Sequence, residues 1–276
     1  MIALPKLFAG NKVNPNVFQA AISRFLRRAA PKKPAEQPPQ RRKILFESLE
    51  PRVLMSADFM PVAPLGGLIQ QANSGGNLAN ADAVASETFS LDAGQKISVV
   101  FSSEDPDLRG MIQLYDVTGG GESLLASASA ANPGEMALLD SYSLGTAGDF
   151  RLDVRNLNAA GDGGAFNLAM FLNATVELEA AGMGGNDALA NAQSLAASEL
   201  ALPGGGQRYA AVGTLEAGNA DYFKLHLLAG DVLDFGLASA AAGVTLELRD
   251  ASDTVIALGA SAGTEVQAIQ IGRAHV

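Results

Sequence analysis

The chain has no cysteine and no tryptophan, and only two histidines among its 276 residues. Without thiols it can form neither disulfides nor a thiolate zinc site, and it has no cysteine nucleophile. With aromatics at only 6% of the chain, a bulky aromatic ligand groove is a poor fit. Long apolar runs are missing too. No stretch reaches the roughly 18 uninterrupted apolar residues of a membrane-spanning helix. The N-terminus also lacks the ordered basic, apolar and cleavage regions of a secretory signal, because Lys6 and Lys12 bracket only a short apolar run.

What the chain does contain is small and apolar residues mixed with turn formers, including 30 glycines. This composition suits many short strands joined by tight turns. Charge divides the chain. Residues 1–58 carry eleven Lys/Arg against four Asp/Glu, whereas residues 59–276 carry eight against twenty-five. An acidic folded part argues against nucleic acid as a partner, which requires concentrated positive charge, and it favours solubility outside the cell.

Within the basic leader, Val17, Phe18, Ala21, Ile22, Phe25 and Leu26 recur at helical spacing, with Arg24, Arg27 and Arg28 largely opposite. The spacing predicts one short amphipathic helix over 16–30, either a docking element or a partly formed helix in a disordered leader. Prolines at 31, 34, 38 and 39 then impose an extended linker.

After Arg41-Arg42-Lys43, the segment from Ile44 to Asp58 contains Phe46, Glu47, Leu49, Glu50, Pro51, Arg52, Leu54 and Met55. It resembles the LEPR-XLL motif found near the N-terminus of very large exported bacterial proteins, with Met55 standing where the family usually has its last Leu. Pro51 fixes the local backbone, Glu50 and Arg52 supply paired charge, and the apolar residues offer anchors for a receptor groove. The resemblance implies a sorting address read by export or sorting machinery, and no contribution to the fold. A Gly/Asn/Ala-rich stretch over 59–81 reads as a flexible linker.

Alternation begins beyond it. Thr88–Leu91, the turn Asp92–Gln95 and Lys96–Phe101 form a hairpin pattern. The same order returns as Tyr222–Leu227, Leu228–Asp231 and Val232–Leu237, and Met111–Asp116 corresponds to Thr245–Asp250. An internal repeat of this kind is one structural unit used twice. The second copy, with Asn186-Asp187-Ala188, Gly213-Thr214-Leu215, Asp221-Tyr222-Phe223, Ala229-Gly230-Asp231 and Leu246–Asp250, resembles the bacterial pre-peptidase C-terminal (PPC) domain. The resemblance implies a jelly-roll-like β-sandwich of the kind attached to secreted peptidases and surface proteins.

The expected fold is therefore all-β, with two jelly-roll-like β-sandwich modules, 82–174 and 184–270, following a largely disordered basic leader. Ala147–Val154 and Gly164–Met170 read as a closing strand pair of the first module, and the second module lacks their counterparts. The last six residues, Ile271 to Val276, resemble the translation of a common sequencing adapter, so the natural chain is expected to continue past Gln270 and the second module to be truncated, exposing an edge and an apolar face.

Catalysis has little to work with. Outside the last six residues the one histidine is His226, between Leu225 and Leu227, where alternation points it to solvent. No catalytic residue is assigned, and the chain is expected not to be an enzyme. No cofactor is expected except calcium, for which the oxygen-rich turns Gly184-Gly185-Asn186-Asp187, Asn219 with Asp221, and Asp162 beside Gly163-Gly164 are candidates. The metal assignment rests on Asn186, Asp187 and Asp221. The sequence thus points to part of an extracellular or cell-surface structural or adhesive protein whose sandwiches act as spacers or contact an extracellular polymer or surface ligand. The alternative is a secreted hydrolase with its catalytic domain beyond residue 270.

Overall fold

In the computed structural model the described residues are 55–56, 59–61, 68–80, 83–158, 162–202, 206–228, 231–239, 243–261 and 266–271. The helix expected over 16–30, the motif residues Phe46, Glu47, Leu49, Glu50, Pro51, Arg52 and Leu54, and the tail 272–276 lie outside them. The described residues contain strands and short 3-10 turns and no α-helix.

Alternation of apolar and polar residues sets the first module. In β5 (Lys96–Ser103) the side chains of Ile97, Val99 and Phe101 are buried, as are Ile112 and Leu114 in β6 (Gly110–Asp116). The same holds for Phe150, Leu152 and Val154 in β9 (Gly148–Asn156), and for Phe166, Leu168, Met170 and Leu172 in β10 (Asp162–Leu172). A period of two puts each set on one face of a sheet, and two such faces make a sandwich core.

One sheet runs in the order β1 (Met55–Ser56), β4 (Val84–Leu91), β9, β6, β7 (Ser123–Ser129). The other runs β2 (Met60–Pro61), β3 (Gln70–Asn80), β10, β5, β8 (Ala137–Ser143). β9 and β10 are the middle strands of the two sheets.

Three expectations are corrected. The Asp92–Gln95 turn does not close a hairpin: β4 and β5 belong to opposite sheets, so the turn crosses between layers. It is held by Gly94, at φ +81°, whose N–H donates to Leu144 O at 2.8 Å. Likewise β9 and β10 do not pair with each other but take the centres of opposite sheets. Finally, Gln70–Asn80, within the expected flexible linker, is a strand. β3 pairs with β10 from Leu172↔Gln70 to Asp162↔Asn80.

The glycines that made that segment look flexible are what let it pack. A Cβ at Gly76 would sit 3.0 Å from the Phe166 ring, and one at Gly75 would sit 2.9 Å from Asn167 Oδ1. Phe59 packs edge-on against Phe89 at 5.7 Å, and Met55↔Glu87 and Ser56↔Thr88 add a parallel bridge to β4. The folded part therefore begins by Met55, inside the expected 1–58 leader and at the last residue of the motif.

One polar side chain sits badly in this core. Glu87 is only 5% exposed, and its Oε2 is buried with no partner. Burial pushes its carboxyl above the ordinary range, with the Ser74 hydroxyl acting more weakly the other way. A raised folded-state pKa means that the fold prefers the protonated form. The benefit is present at low pH and is lost as pH rises through the carboxylate range. Glu87→Gln should therefore raise stability by about 1 kcal/mol at pH 7 and by almost nothing at pH 3 in paired urea titrations.

The second copy folds differently from the first. It consists of small ladders: β12 (Gln193–Ser194) with β16 (Phe223–Lys224), β13 (Leu200–Ala201) with β14 (Gln207–Arg208), β17 (Leu233–Ala238) with β21 (Val266–Ile271) and β20 (Ala260–Ser261), and β18 (Glu247–Arg249) with β19 (Val255–Leu258). Among the residues between 199 and 260 whose side chains are described, none is buried. The second copy thus has strands at the repeated positions, and its described side chains after Ser198 are half-buried or exposed.

Candidate metal centre

The chain leaves the first sandwich through β11 (Thr175–Val176), and a bulge in β8 holds it there. Ser141, at φ +50°, shifts the β5–β8 register between Ile97 and Val99, and a bulge of this kind re-aims the neighbouring side chain. Asp140 then receives Thr175 Oγ1 at 2.6 Å and the Val176 N–H at 3.0 Å. On its other side β11 pairs in parallel with β15 (Ala211–Val212). The next residue is thereby fixed: the Glu177 N–H donates to Val212 O at 2.8 Å.

Glu177 is 1% exposed. Its Oε2 accepts the Thr214 N–H at 2.9 Å, while Oε1 is buried without a partner. Carboxylate oxygens of Glu177, Glu179 and Asp221 all lie within 4.8 Å of one another. A loop then brings Asn186 in, with its carbonyl accepting the Tyr222 N–H at 2.8 Å. Asn186 is 3% exposed, and its Oδ1 likewise has no partner.

Two glycines keep the space open. A Cβ on Gly213 would lie 2.2 Å from Glu177 Oε2; one on Gly185 would lie 2.9 Å from Asp187 Oδ2 and 3.3 Å from Glu179 Oε2.

The carboxyl groups strain one another. Burial, then the charge of Asp221, holds Glu177 above the usual range, with the Thr214 N–H acting against them. Burial raises Asp221, and the charges of Asp187 and Glu216 add to it. Glu179 is raised by desolvation and then by Asp187, Glu216 and Asp221. Carboxylates this close favour a shared proton or a bound cation over three bare charges. The donors are hard oxygens with no nitrogen or sulfur among them, which suits calcium and not zinc.

The structure places Asp221, Asn186 and Asp187 in one region. It adds Glu177 and Glu179, which sequence reasoning missed. Their signal was the Glu-x-Glu spacing, which puts two carboxylates on one side of an extended segment. The other candidate turns do not join them. Asn219 is exposed in a turn closed on Glu216 O, and Asp162 pairs with Asn80 in the β3–β10 ladder. His226 is exposed and outside any strand. Among the described residues no helix is long and apolar enough to cross a membrane.

No family model matches the chain, and no curated protein matches it. Among solved structures it is similar to the pre-peptidase C-terminal domain of a collagenase from Bacillus anthracis, at TM-score 0.30 and 15% identity, over 36% of this chain and 88% of that one. It is also similar to PliG, a periplasmic inhibitor of g-type lysozyme from Salmonella Typhimurium, at TM-score 0.29 and 15% identity, over 43% of this chain and 96% of that one. A third is the Yersinia pseudotuberculosis-derived mitogen, at TM-score 0.30 and 13% identity, over 36% and 83%.

Proposed function

We propose that this is a non-catalytic, secreted or cell-surface structural protein in which calcium staples the passage from the first β-sandwich to the second PPC-like unit. The carrying observation is the cluster of carboxylate oxygens of Glu177, Glu179 and Asp221, all within 4.8 Å of one another, in which Glu177 Oε1 is buried with no hydrogen-bond partner. A buried acceptor without a donor costs free energy that a bound cation recovers. Extracellular modules work with weak sites, at roughly 10⁻⁴–10⁻³ M, where millimolar calcium keeps them filled.

Calcium is structural in this reading. Glu177, Glu179, Asn186 and Asp221 would hold it, and the sandwiches act as spacers or contact a surface polymer. The LEPR-XLL-like block supplies the address for export or sorting machinery.

Titration of the full chain with calcium at pH 7.5 should give saturable heat by calorimetry and raise the unfolding temperature, while magnesium does much less. At a hundredfold excess over Kd the linkage amounts to about 2.7 kcal/mol. An unfolding temperature unmoved by 10-fold steps of calcium up to about 10 mM, well above the extracellular range, would remove the staple.

A further inference from the structure

Between β10 and Glu177 runs a short bridge, Asn173 to Val176, and the first sandwich grips all of it. Asn173, at φ +60°, accepts the Lys96 N–H at 3.0 Å through Oδ1 and donates from Nδ2 to Leu68 O at 2.7 Å. The Ser98 hydroxyl, fully buried, lies 2.7 Å from Ala174 O. Asp140 takes the last two residues. Its Oδ2 accepts the Thr175 hydroxyl at 2.6 Å, and its Oδ1 accepts the Val176 N–H at 3.0 Å. Among the described residues no Lys or Arg pairs with Asp140, so hydroxyl and amide donors alone hold its carboxylate.

Asp140 also stands where the β5–β8 ladder is interrupted. Val99 faces Leu139 and Ile97 faces Tyr142, so Asp140 and Ser141 together oppose the single Ser98. A bulge leaves the ladder locally unpaired. Here the Ser141 N–H goes to Ser98 Oγ at 2.8 Å, and that hydroxyl lies 3.0 Å from Asp140 Oδ1. The weak point of the ladder and the strand that presents Glu177 therefore share one carboxylate. A cation held by Glu177 would steady the adjoining Val176 N–H and Thr175 hydroxyl, and through them Asp140.

We propose that Asp140 is a positioning residue for the calcium centre, and that through it a filled centre tightens the β5–β8 bulge of the first sandwich. Coupling of this kind is reciprocal: contacts that raise the affinity for the ion also make the bulge open less often when the ion is bound. Asp140 supplies placement and not charge, because it reaches the centre only through the two donors that precede Glu177. The coupling rests on the calcium staple, yet the hold of Asp140 on Glu177 can be measured with no ion present.

The test takes the full chain as wild type, Asp140→Ala, Asp140→Asn and Thr175→Val through calcium calorimetry and amide hydrogen exchange, with protection across β6 and β9 reporting that the first sandwich is folded. In the wild type, calcium should slow exchange at Ser141 and Val176 about tenfold relative to EDTA. Asp140→Ala should weaken calcium binding about tenfold, the scale seen when a residue behind a ligand is lost, and should erase the response at Ser141. Asp140→Asn keeps an oxygen for the Val176 N–H and an amide for Thr175 Oγ1, so it should lose less than about threefold. Thr175→Val, missing one of the two contacts, should fall between them. In EDTA, Asp140→Ala should speed exchange of the Glu177 N–H at least about tenfold, and Asp140→Asn should not. Wild-type affinity in Asp140→Ala, or equal losses in the alanine and asparagine variants, would overturn the positioning role. If Asp140→Ala loses protection in β6 and β9, Thr175→Val decides instead, and it must bind calcium more weakly than Asp140→Asn. A wild type that takes up calcium with no response at Ser141 leaves the staple standing and sinks the coupling alone; one that takes up none sinks both.

Discussion

Phe101→Ala should cost the first sandwich about 3–5 kcal/mol, seen as a lower urea midpoint with little change in slope. The ring is fully buried in β5 and stacks on Phe166 at a centroid distance of 5.8 Å. It lies directly over bare backbone, since a Cβ on Gly110 would fall 2.1 Å from it. Removing the ring opens a cavity that no neighbouring side chain at Gly110 can fill, which places the cost towards the top of that range. The same geometry gives a check on the cause. Gly110→Ala should overpack the wild type by about 1–3 kcal/mol but be nearly harmless once Phe101 is alanine. Additive costs would show that the ring is not held against Gly110.

The second large effect is the loss of the calcium response in Glu177→Gln. The amide preserves size and can still accept the Thr214 N–H, but it removes the one buried anionic oxygen that faces the cluster without a partner. About 2.7–4.1 kcal/mol of calcium-dependent stability, the linkage expected at 100 to 1,000 times Kd, should vanish. The pH behaviour fixes the sign. Because Glu177, Glu179 and Asp221 are all raised, the calcium-free wild type is favoured at low pH and weakens as pH climbs through the carboxylate range. In EDTA at pH 7.5 the variant should unfold at or above the wild-type temperature, and in calcium it should fall below. A variant that keeps the full calcium response would exclude Glu177 as a ligand.

The faces of the strands were legible in the sequence, and their partners were not. Alternation in Lys96–Phe101 and Gly148–Val154 groups the apolar residues on one face of each strand whichever strand lies alongside, and that face is the buried one in β5 and β9. It carries no information about which sheet each strand joins. The turn after Leu91 reads as a hairpin but crosses between layers, and β9 and β10, which read as a closing pair, take opposite sheets.

β3 was hidden for a different reason. Its Gly75-Gly76 reads as flexibility, and only the presence of Phe166 across the ladder shows that small residues are needed there. At the candidate metal centre, Asn186, Asp187 and Asp221 stood out as oxygen-rich turns. Glu177 and Glu179 looked like the polar half of an ordinary strand, because the burial of Glu177 comes from β15 and Thr214, more than thirty residues on.

The placing of β9 and β10 at the centres of the two sheets has a consequence for how the protein is made. Both emerge from a ribosome after every strand they must bind. Until residue 172 is free, β4 has no route to β6 and β3 none to β5, since each pair is joined only through a strand not yet available. Loop closures on the scale of β3 to β10, some ninety residues apart, are also slow to form. The first sandwich is therefore built to stay open during synthesis and to close in one late step.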